Sequence, residues 1–300
     1  AATTTSITTS STSHNFIYQL LNISSHLLLL LMTSNQRNNT NNNGHSINSM
    51  EATYSRLLTK LKPRLLLEDS DSSSSQQQQQ QHDHDVDADD DADNFGHDQY
   101  WIAVAGGPGS GKSTVAHAVA DRLNALKHDS AVVISMDGWH TPQKDLVQKY
   151  GEEGMKRRGA PWTFDVAALV RDIHQAKTEG EASLPTYSRD ISDPVIGGTQ
   201  LSLNHKVVIV EGLYVLMKND KEWGKLFHLW DETWFVECPD REEQLERLVS
   251  RSLKTWSPQK IAMWGEGEEG ARKRAEFNDV PNMDIVAPCR EFADEIIVTK

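Results

Sequence analysis

The chain has 300 residues, enough for one or two domains, and carries a formal net charge of −13. Residues 68–98 hold eleven Asp or Glu and no Lys or Arg, so this segment contributes −11 and the rest of the chain only −2. A near-neutral remainder argues against a nucleic-acid-binding surface. Cys238 and Cys289 are the two cysteines and lie far apart, which indicates a reducing compartment and no disulfide framework.

Residues 1–99 have the composition of a disordered extension. They combine Ser/Thr/Asn-rich runs, a glutamine tract at residues 76–81 and the acidic run HDHDVDADDDAD, with little apolar periodicity. His82, His84 and the neighbouring aspartates could hold a metal, but a solvated linker is the favoured interpretation. We therefore expect the folded part at residues 100–300, an ordinary size for a single α/β domain.

The start of the chain also has features of a targeting segment. Up to Leu67, Glu51 is the one acidic residue against five basic ones, and Ser and Thr are abundant, as in organellar transit peptides. The expected location is cytoplasmic if this segment is only disordered, and a chloroplast or mitochondrion if it directs import. The apolar stretch at residues 16–32 is too short and too polar to predict a membrane span.

Residues 100–116, YWIAVAGGPGSGKSTVA, predict a phosphate-binding loop. Gly106, Gly111, Lys112 and Ser113 fill the pattern G-x-x-x-x-G-K-S. An apolar, strand-like run precedes the glycines, and apolar residues at helical spacing follow them over residues 113–126, which is the context that the motif requires.

The chemistry of a nucleotide triphosphate explains these residue types. Backbone N–H groups that wrap phosphates need positive φ and little side-chain bulk, and the start of a helix adds unpaired N–H groups. Lys112 would reach the β- and γ-phosphates, and the Ser113 hydroxyl would hold Mg²⁺. The predicted nucleotide-binding residues are Gly106, Gly107, Gly109, Ser110, Gly111, Lys112, Ser113 and Thr114.

Acidic residues follow two further apolar runs. AVVISM at residues 131–136 ends at Asp137, and KVVIV at residues 206–210 is followed by Glu211. Ligands of open parallel sheets gather at the carboxyl ends of the strands. Glu211 is therefore expected in the Mg²⁺ shell, and Asp137 in the reaction site, with a turn or helix cap as the alternative for Asp137.

Strands and helices alternate along the rest of the chain. Strands are predicted at residues 233–237 and 295–299, and helices at residues 166–177 and 241–253. The pattern predicts an α/β fold, with a parallel sheet covered by helices on both faces.

Polar segments between and after these elements supply candidates for substrate binding. Residues 156–165 and 184–194 look irregular, and residues 263–279 look like a flexible insertion beside a lid. Arg247 and Arg251 share one helical face and could close over a transferring phosphoryl group, or form a solvated face. The residues predicted to bind the substrate, all earlier in the chain than Arg247, are His140, Arg158, Asp165, Tyr187 and Arg189.

The successive motifs carry a family resemblance. The order GGPGSGKST, VVISMDGWH, RRGAPWTFD, PTYSRDISDPV, VVIVEGLYVL and ETWFVECP resembles the P-loop kinases grouped with phosphoribulokinase, uridine kinase and pantothenate kinase. In particular, it resembles a branch of uridine-kinase-like and fructose-transport-associated kinases. The resemblance covers nearly all of residues 100–300.

This resemblance implies a P-loop NTPase fold with a small lid, ATP and Mg²⁺ as cofactors, and phosphoryl transfer to a hydroxyl of a nucleoside, pantothenate-like or sugar-like acceptor. It implies Asp137 as general base or metal partner, Glu211 as the second acidic strand end, and Arg247 or Arg251 as a lid arginine. Asn282 matches an asparagine common in this branch and is assigned to substrate binding.

The expected partners are ATP and a small hydroxyl-bearing substrate, with no nucleic acid and no membrane, and a homodimer is compatible with these features. The alternative is a nucleotide-dependent ATPase or switch protein, which needs the loop and Glu211 but not Asp137, Arg158 and Arg189.

Overall fold

The structure, a computed structural model, describes residues 44–66 and 97–299, with side chains from Met50 onward. The glutamine and acidic tracts, with His82 and His84, and most of the segment with transit-peptide features lie outside the described residues. No helix within the described ranges is both long and apolar enough to cross a membrane.

The predicted alternation of strands and helices is confirmed. The strands are β1 (Tyr100–Ala105), β2 (Ala131–Ser135), β3 (Ala182–Ser188), β4 (Asp193–Leu201), β5 (Val207–Glu211), β6 (Glu232–Glu237) and β7 (Glu295–Val298). The α-helices are α1 (Gly44–Leu65), α2 (Lys112–Leu126), α3 (Gln143–Lys156), α4 (Val166–Glu179), α5 (Arg241–Leu253), α6 (Pro258–Trp264), α7 (Gly267–Arg274) and α8 (Val280–Val286).

Five parallel strands form the main sheet, in the order β2-β5-β1-β6-β7. Successive side chains of a strand point to opposite faces, so β1 contributes to two cores. Ile102 and Val104 pack with α2 on one face, while Trp101 and Ala103 pack with α4 on the other. Both faces are therefore covered by helices, as the apolar runs predict.

The prediction that residues 1–99 are disordered is wrong for residues 44–66, which form α1 and its last turn. Leu57, Leu61 and Leu65 recur every four residues and are at most 4% exposed in the same core as α2. The helix was not predicted because the low-complexity tracts on both sides of it dominate the average composition of residues 1–99, whereas its apolar stripe is short.

Ion pairs also hold α1 to the edge of the sheet. Arg56 donates to both carboxylate oxygens of Glu295 in β7, at 2.6 and 2.7 Å, and Lys60 Nζ lies 2.5 Å from Glu232 Oε1 in β6. Because the Arg56 and Lys60 side chains are about half exposed, these pairs add orientation more than stability.

The prediction that residues 184–194 are irregular is also wrong. They lie in an antiparallel hairpin of β3 and β4, outside the main sheet. Its register shifts between Leu184 and Thr186, so Pro185 sits at a bulge, where a strand tolerates a residue without an N–H. A strand was not predicted here because proline is rare inside strands.

The expected flexible insertion at residues 263–279 is a folded part of the chain as well. It contains α7 and a π-helical turn at Ala275–Asp279 that leads into α8. Ala271 and Ala275 are at most 1% exposed, because this segment packs against α5. Most of its acidic residues and Lys273 are exposed, and a segment with so many charged residues resembles a loop when only composition is considered.

Replacing Leu61 tests whether α1 is an integral part of the hydrophobic core. Leu61→Ala should lower the free energy of unfolding by about 2–5 kcal/mol, since it removes a buried leucine and leaves a cavity. Leu66→Ala is the matched control, because Leu66 is 79% exposed, and it should change stability by less than about 0.5 kcal/mol. Urea unfolding followed by tryptophan fluorescence measures both; equal effects would contradict the packing of α1.

Candidate active site

The phosphate loop joins β1 to α2, as predicted. Gly109 and Gly111 have φ values of 80° and 92°, in the left-handed region that favours glycine. Gly107 does not have the positive φ expected of it, but a Cβ there would lie 3.0 Å from Gln244 Nε2. Gly106 is more tightly confined, since it has a φ of 156° and its Cβ would lie 2.3 Å from the Val236 carbonyl oxygen. At Gly107, where φ does not require glycine, the close approach of Gln244 disfavours a side chain.

Two side chains outside the motif hold the loop from behind. Gln244 in α5 donates to the Pro108 carbonyl at 2.7 Å, and Thr299 donates to the Ser110 carbonyl at 2.7 Å. Both residues are at most 8% exposed. Sequence reasoning missed them because they lie far from the loop along the chain and belong to no motif.

The carboxylate of Glu211 lies between two hydroxyl groups. Ser113 donates to Glu211 Oε2 at 3.0 Å, and Ser135 donates to Glu211 Oε1 at 2.7 Å. Glu211 ends β5 and is only 5% exposed; it pairs in register with Ser135 of β2 on one side and Val104 of β1 on the other. The sheet order thus brings Ser113 and Glu211 together, as the strand-end argument predicts. Ser135 was missed, although it also ends an apolar strand.

This arrangement fits a magnesium ion. Its side-chain donors are carboxylate and hydroxyl oxygens, the atoms that Mg²⁺ prefers, and a nearly buried carboxylate gains from a cation beside it. Among the described residues, no group of three or more His, Cys, Asp or Glu side chains could hold a metal alone.

Asp137 follows the end of β2 in a 3₁₀ turn at Met136–Trp139. Its backbone N–H donates to Ser135 Oγ at 3.4 Å, so the turn that carries Asp137 begins at the hydroxyl that contacts Glu211. The Asp137 side chain is 49% exposed, and its Oδ1 lies 3.9 Å from His140 Nδ1. The Asp137 carboxylate is therefore exposed to solvent and lies at the end of the sheet from which the phosphate loop also starts.

His140, Tyr187 and Arg158 form a cluster beside Asp137. The His140 ring centroid lies 4.0 Å from that of Phe164 and 5.1 Å from that of Tyr187, and the Arg158 guanidinium lies 5.8 Å from the Tyr187 ring. Arg158 Nη2 contacts Asp193 Oδ1 at 2.7 Å, whereas its buried Nε and Nη1 have no hydrogen-bond partner among the residues that the structure describes. Three of the predicted substrate-binding residues therefore lie together.

Burial shifts the pKa values of His140 and Tyr187 in this cluster. It lowers the pKa of His140 below its usual value, and the nearby Arg158 charge lowers it further, while the Asp137 carboxylate opposes the shift. Burial likewise raises the pKa of Tyr187. The imidazole is therefore neutral near pH 7, with one nitrogen able to donate and the other to accept a hydrogen bond.

Other predicted residues have different surroundings. Asp165 accepts from the Ala168 N–H at 3.0 Å and caps α4, and Arg189 is exposed at the hairpin turn. Arg247 donates to Glu243 at 2.6 Å and to Thr299 at 3.3 Å, whereas Arg251 is exposed one turn later. Capping accounts for Asp165 without a ligand.

Trp139 is a core residue: it is 4% exposed and donates to Asp172 at 2.8 Å. Asn282 is 1% exposed, and its side-chain amide contacts the Gly159 carbonyl at 3.2 Å. Neither side chain presents a free surface to a substrate in this structure.

The sequence profile of the phosphoribulokinase / uridine kinase family matches residues 101–251, half of the chain. The chain belongs to this family. It is therefore a kinase with the nucleotide-binding P-loop of these proteins, as the resemblance implies. The matched region begins in β1 and ends in α5, so it includes the loop, Asp137, Arg158 and Glu211.

Individual relatives agree with this assignment. The chain is 30% identical over 189 residues to the Schizosaccharomyces pombe protein named "Putative uridine kinase C227.14", covering 62% of this chain and 77% of the relative. It is 34% identical over 164 residues to the pantothenate kinase of Myxococcus xanthus, covering 52% of this chain and 50% of that protein.

The fold is also found in a solved structure. A crystal structure from Silicibacter sp. TM1040, described as a "putative fructose transport system kinase", aligns with a TM-score of 0.57 and 30% sequence identity. The alignment covers 66% of this chain and 89% of that one. This likeness supports the predicted P-loop kinase architecture.

A methyl group at Gly109 should abolish nucleotide binding. Its Cβ would lie 2.9 Å from the Gln244 carbonyl oxygen, so Gly109→Ala must move the loop or α5 in addition to straining a positive φ. Gly151→Ala is the control, because Gly151 also has positive φ, 60°, but no atom lies within 4 Å of its Cβ position. Calorimetry with a non-hydrolysable ATP analogue should detect binding to Gly151→Ala and none to Gly109→Ala. Unchanged affinity in Gly109→Ala would refute the assigned loop geometry.

Proposed function

We propose that the protein transfers the γ-phosphoryl group of ATP to a hydroxyl of a small-molecule acceptor. The observation that carries the proposal is the hydrogen-bonded set Ser113–Glu211–Ser135, from which the chain continues directly into the turn of Asp137. The proposed ATP site and the acidic group proposed for the acceptor hydroxyl thus lie at the ends of neighbouring strands. Kinase relatives support this reading of the geometry.

The donor half consists of the loop, Lys112 and the Glu211 set. Backbone N–H groups of the loop and of the first turn of α2 would bind the phosphates, and Lys112 would neutralise charge on the β- and γ-phosphates. Ser113 and Glu211 would hold Mg²⁺, which supplies further charge neutralisation at the same phosphates. Phosphoryl transfer depends mainly on such positioning and electrostatics.

In the acceptor half, Asp137 orients the acceptor hydroxyl and accepts its proton. The half-exposed carboxylate is available to a ligand, unlike the nearly buried Glu211. His140 Nδ1 donates to the Asp137 carbonyl at 2.9 Å, so Nε2 of the neutral ring can accept a hydrogen bond from a second hydroxyl of the acceptor. The unpartnered Nε and Nη1 of Arg158 add donors that a polar or anionic acceptor group would satisfy.

The remaining predicted roles have weaker geometric support. Tyr187 belongs to the cluster through its contact with His140. Arg189 could reach an acceptor from the hairpin turn, and exposed Arg251 is freer than Arg247 to close on the phosphoryl group. A homodimer and the cellular compartment stay predictions of the sequence.

The relatives' names suggest three acceptor classes. They are named for uridine, for pantothenate and for a fructose transport system. Nucleosides, pantothenate-like molecules and sugars are therefore the acceptors we propose to screen first. All three classes present a primary or secondary hydroxyl, the group that Asp137 would serve.

An acceptor screen with ATP tests the proposal. Purified full chain is given uridine, pantothenate, fructose or D-glycerate; ATP consumption and the mass of the phosphorylated product are measured. We expect acceptor-dependent turnover that Lys112→Ala abolishes. Asp137→Asn should lower kcat by about 10²–10⁴-fold at unchanged KM for ATP, as for loss of a general base.

The control for this variant is Asp121→Asn, because Asp121 is an exposed aspartate on α2. ATP hydrolysis that needs no acceptor and survives Asp137→Asn would favour the ATPase or switch alternative. Normal turnover of the true acceptor by Asp137→Asn would refute the assignment of Asp137 as base.

A further inference from the structure

We infer that Asn278 and Asn282 are positioning residues, which fix the loop carrying Arg158 against the helix that borders the phosphate loop. The loop comprises residues 157–159 and is called the arginine loop below. The inference rests on the proposed function, since it assigns these asparagines to the acceptor half of the same site. It replaces the expectation that Asn282 itself binds substrate.

The two asparagine side chains contact the backbone of the arginine loop. Asn278 Nδ2 donates to the Arg158 carbonyl at 2.8 Å, and Asn282 Nδ2 donates to the Gly159 carbonyl at 3.2 Å. Both asparagines are at most 2% exposed. Because the Nδ2 group of each buried asparagine is already bonded to the loop backbone, we assign these side chains to holding the loop and not to contacting an acceptor.

The helix geometry that presents these side chains has a local cause. Pro281, at the start of α8, has no N–H, so the Phe277 carbonyl four residues earlier lacks its α-helical donor. Arg157 Nη1 donates to that carbonyl at 2.7 Å instead. The π-helical turn at Ala275–Asp279 accompanies this break, and such turns often occur at functional sites. The arginine loop and the helix break therefore satisfy each other's backbone groups.

The same helix borders the phosphate loop. Met283 of α8 lies close to Gly107, since a Cβ on Gly107 would be 3.4 Å from Met283 Cγ. Met283 also packs with Leu245 and Leu248 of α5, the helix whose Gln244 holds Pro108. One continuous segment, residues 275–286, thus contacts both the phosphate loop and the arginine loop.

The arginine loop in turn holds the acceptor cluster. Arg158 reaches Asp193 at the start of β4, and Tyr214 donates to the Gly159 carbonyl at 2.6 Å. Releasing the asparagine contacts should therefore move Arg158 relative to Asp137 without altering the phosphate loop. We expect this change to weaken binding of the acceptor and to leave binding of ATP unchanged.

Hydrogen exchange of the full chain tests the contact without knowledge of the acceptor. The N–H groups of Gly159 and Ala160 are bonded to Thr163 Oγ1 and the Arg157 carbonyl, both at 2.9 Å, and report on the loop. Asn278→Ala and Asn282→Ala should each speed exchange in residues 157–160 by roughly five- to tenfold. Exchange in β1 and the phosphate loop should be unchanged, and Asn219→Ala, at an exposed asparagine, should change neither region.

Kinetics provides the second readout. With the acceptor found by the screen, both variants should raise KM for the acceptor about tenfold and leave KM for ATP unchanged. Unchanged exchange in the arginine loop, or equal acceleration throughout β1, would overturn the inference, as would an equal rise in both KM values. If no acceptor is phosphorylated, the proposed function fails, while hydrogen exchange still decides whether the asparagines hold the loop.

Discussion

The carboxylate of Glu211, placed between Ser113 and Ser135, is the interaction on which the site depends. A nearly buried negative charge is costly unless hydrogen bonds or a cation compensate it, and here two hydroxyls donate to it at 3.0 and 2.7 Å. One hydroxyl belongs to the phosphate loop's helix and the other to the strand that continues into the turn of Asp137. Glu211 therefore joins the donor half to the start of the acceptor half.

The sheet order makes this junction possible. Because β5 lies between β2 and β1, the end of β5 is adjacent to the ends of the strands that lead into the phosphate loop and into Asp137. The edge strand β7 has a different role: it leads to Thr299, which donates to the Ser110 carbonyl, and α1 is tied to it through Arg56 and Glu295. The part of the chain before β1 is thus tied to the strand that ends next to Thr299.

The sequence predicts the geometry around the phosphate loop well and the geometry around Arg158 poorly, for physical reasons. Lys112, Ser113 and Glu211 are predictable because their neighbours along the chain, an apolar strand and a tight turn, determine where they lie. Asn278 instead depends on a proline several residues later and on a loop more than a hundred residues earlier. The hairpin was missed because Pro185 breaks the strand pattern while a bulge accommodates it. The position of such a residue depends on contacts between segments that are distant along the chain, and a local sequence pattern does not predict these contacts.

A crystal structure of the full chain with Mg²⁺ and a non-hydrolysable ATP analogue tests the central claim most directly. The account predicts triphosphate density along the loop and a metal about 2.0–2.1 Å from Ser113 Oγ, with Glu211 bound to it directly or through one water. The γ-phosphate should face Asp137. A metal bound away from Ser113 and Glu211, or a triphosphate directed away from the end of β2, would contradict the account.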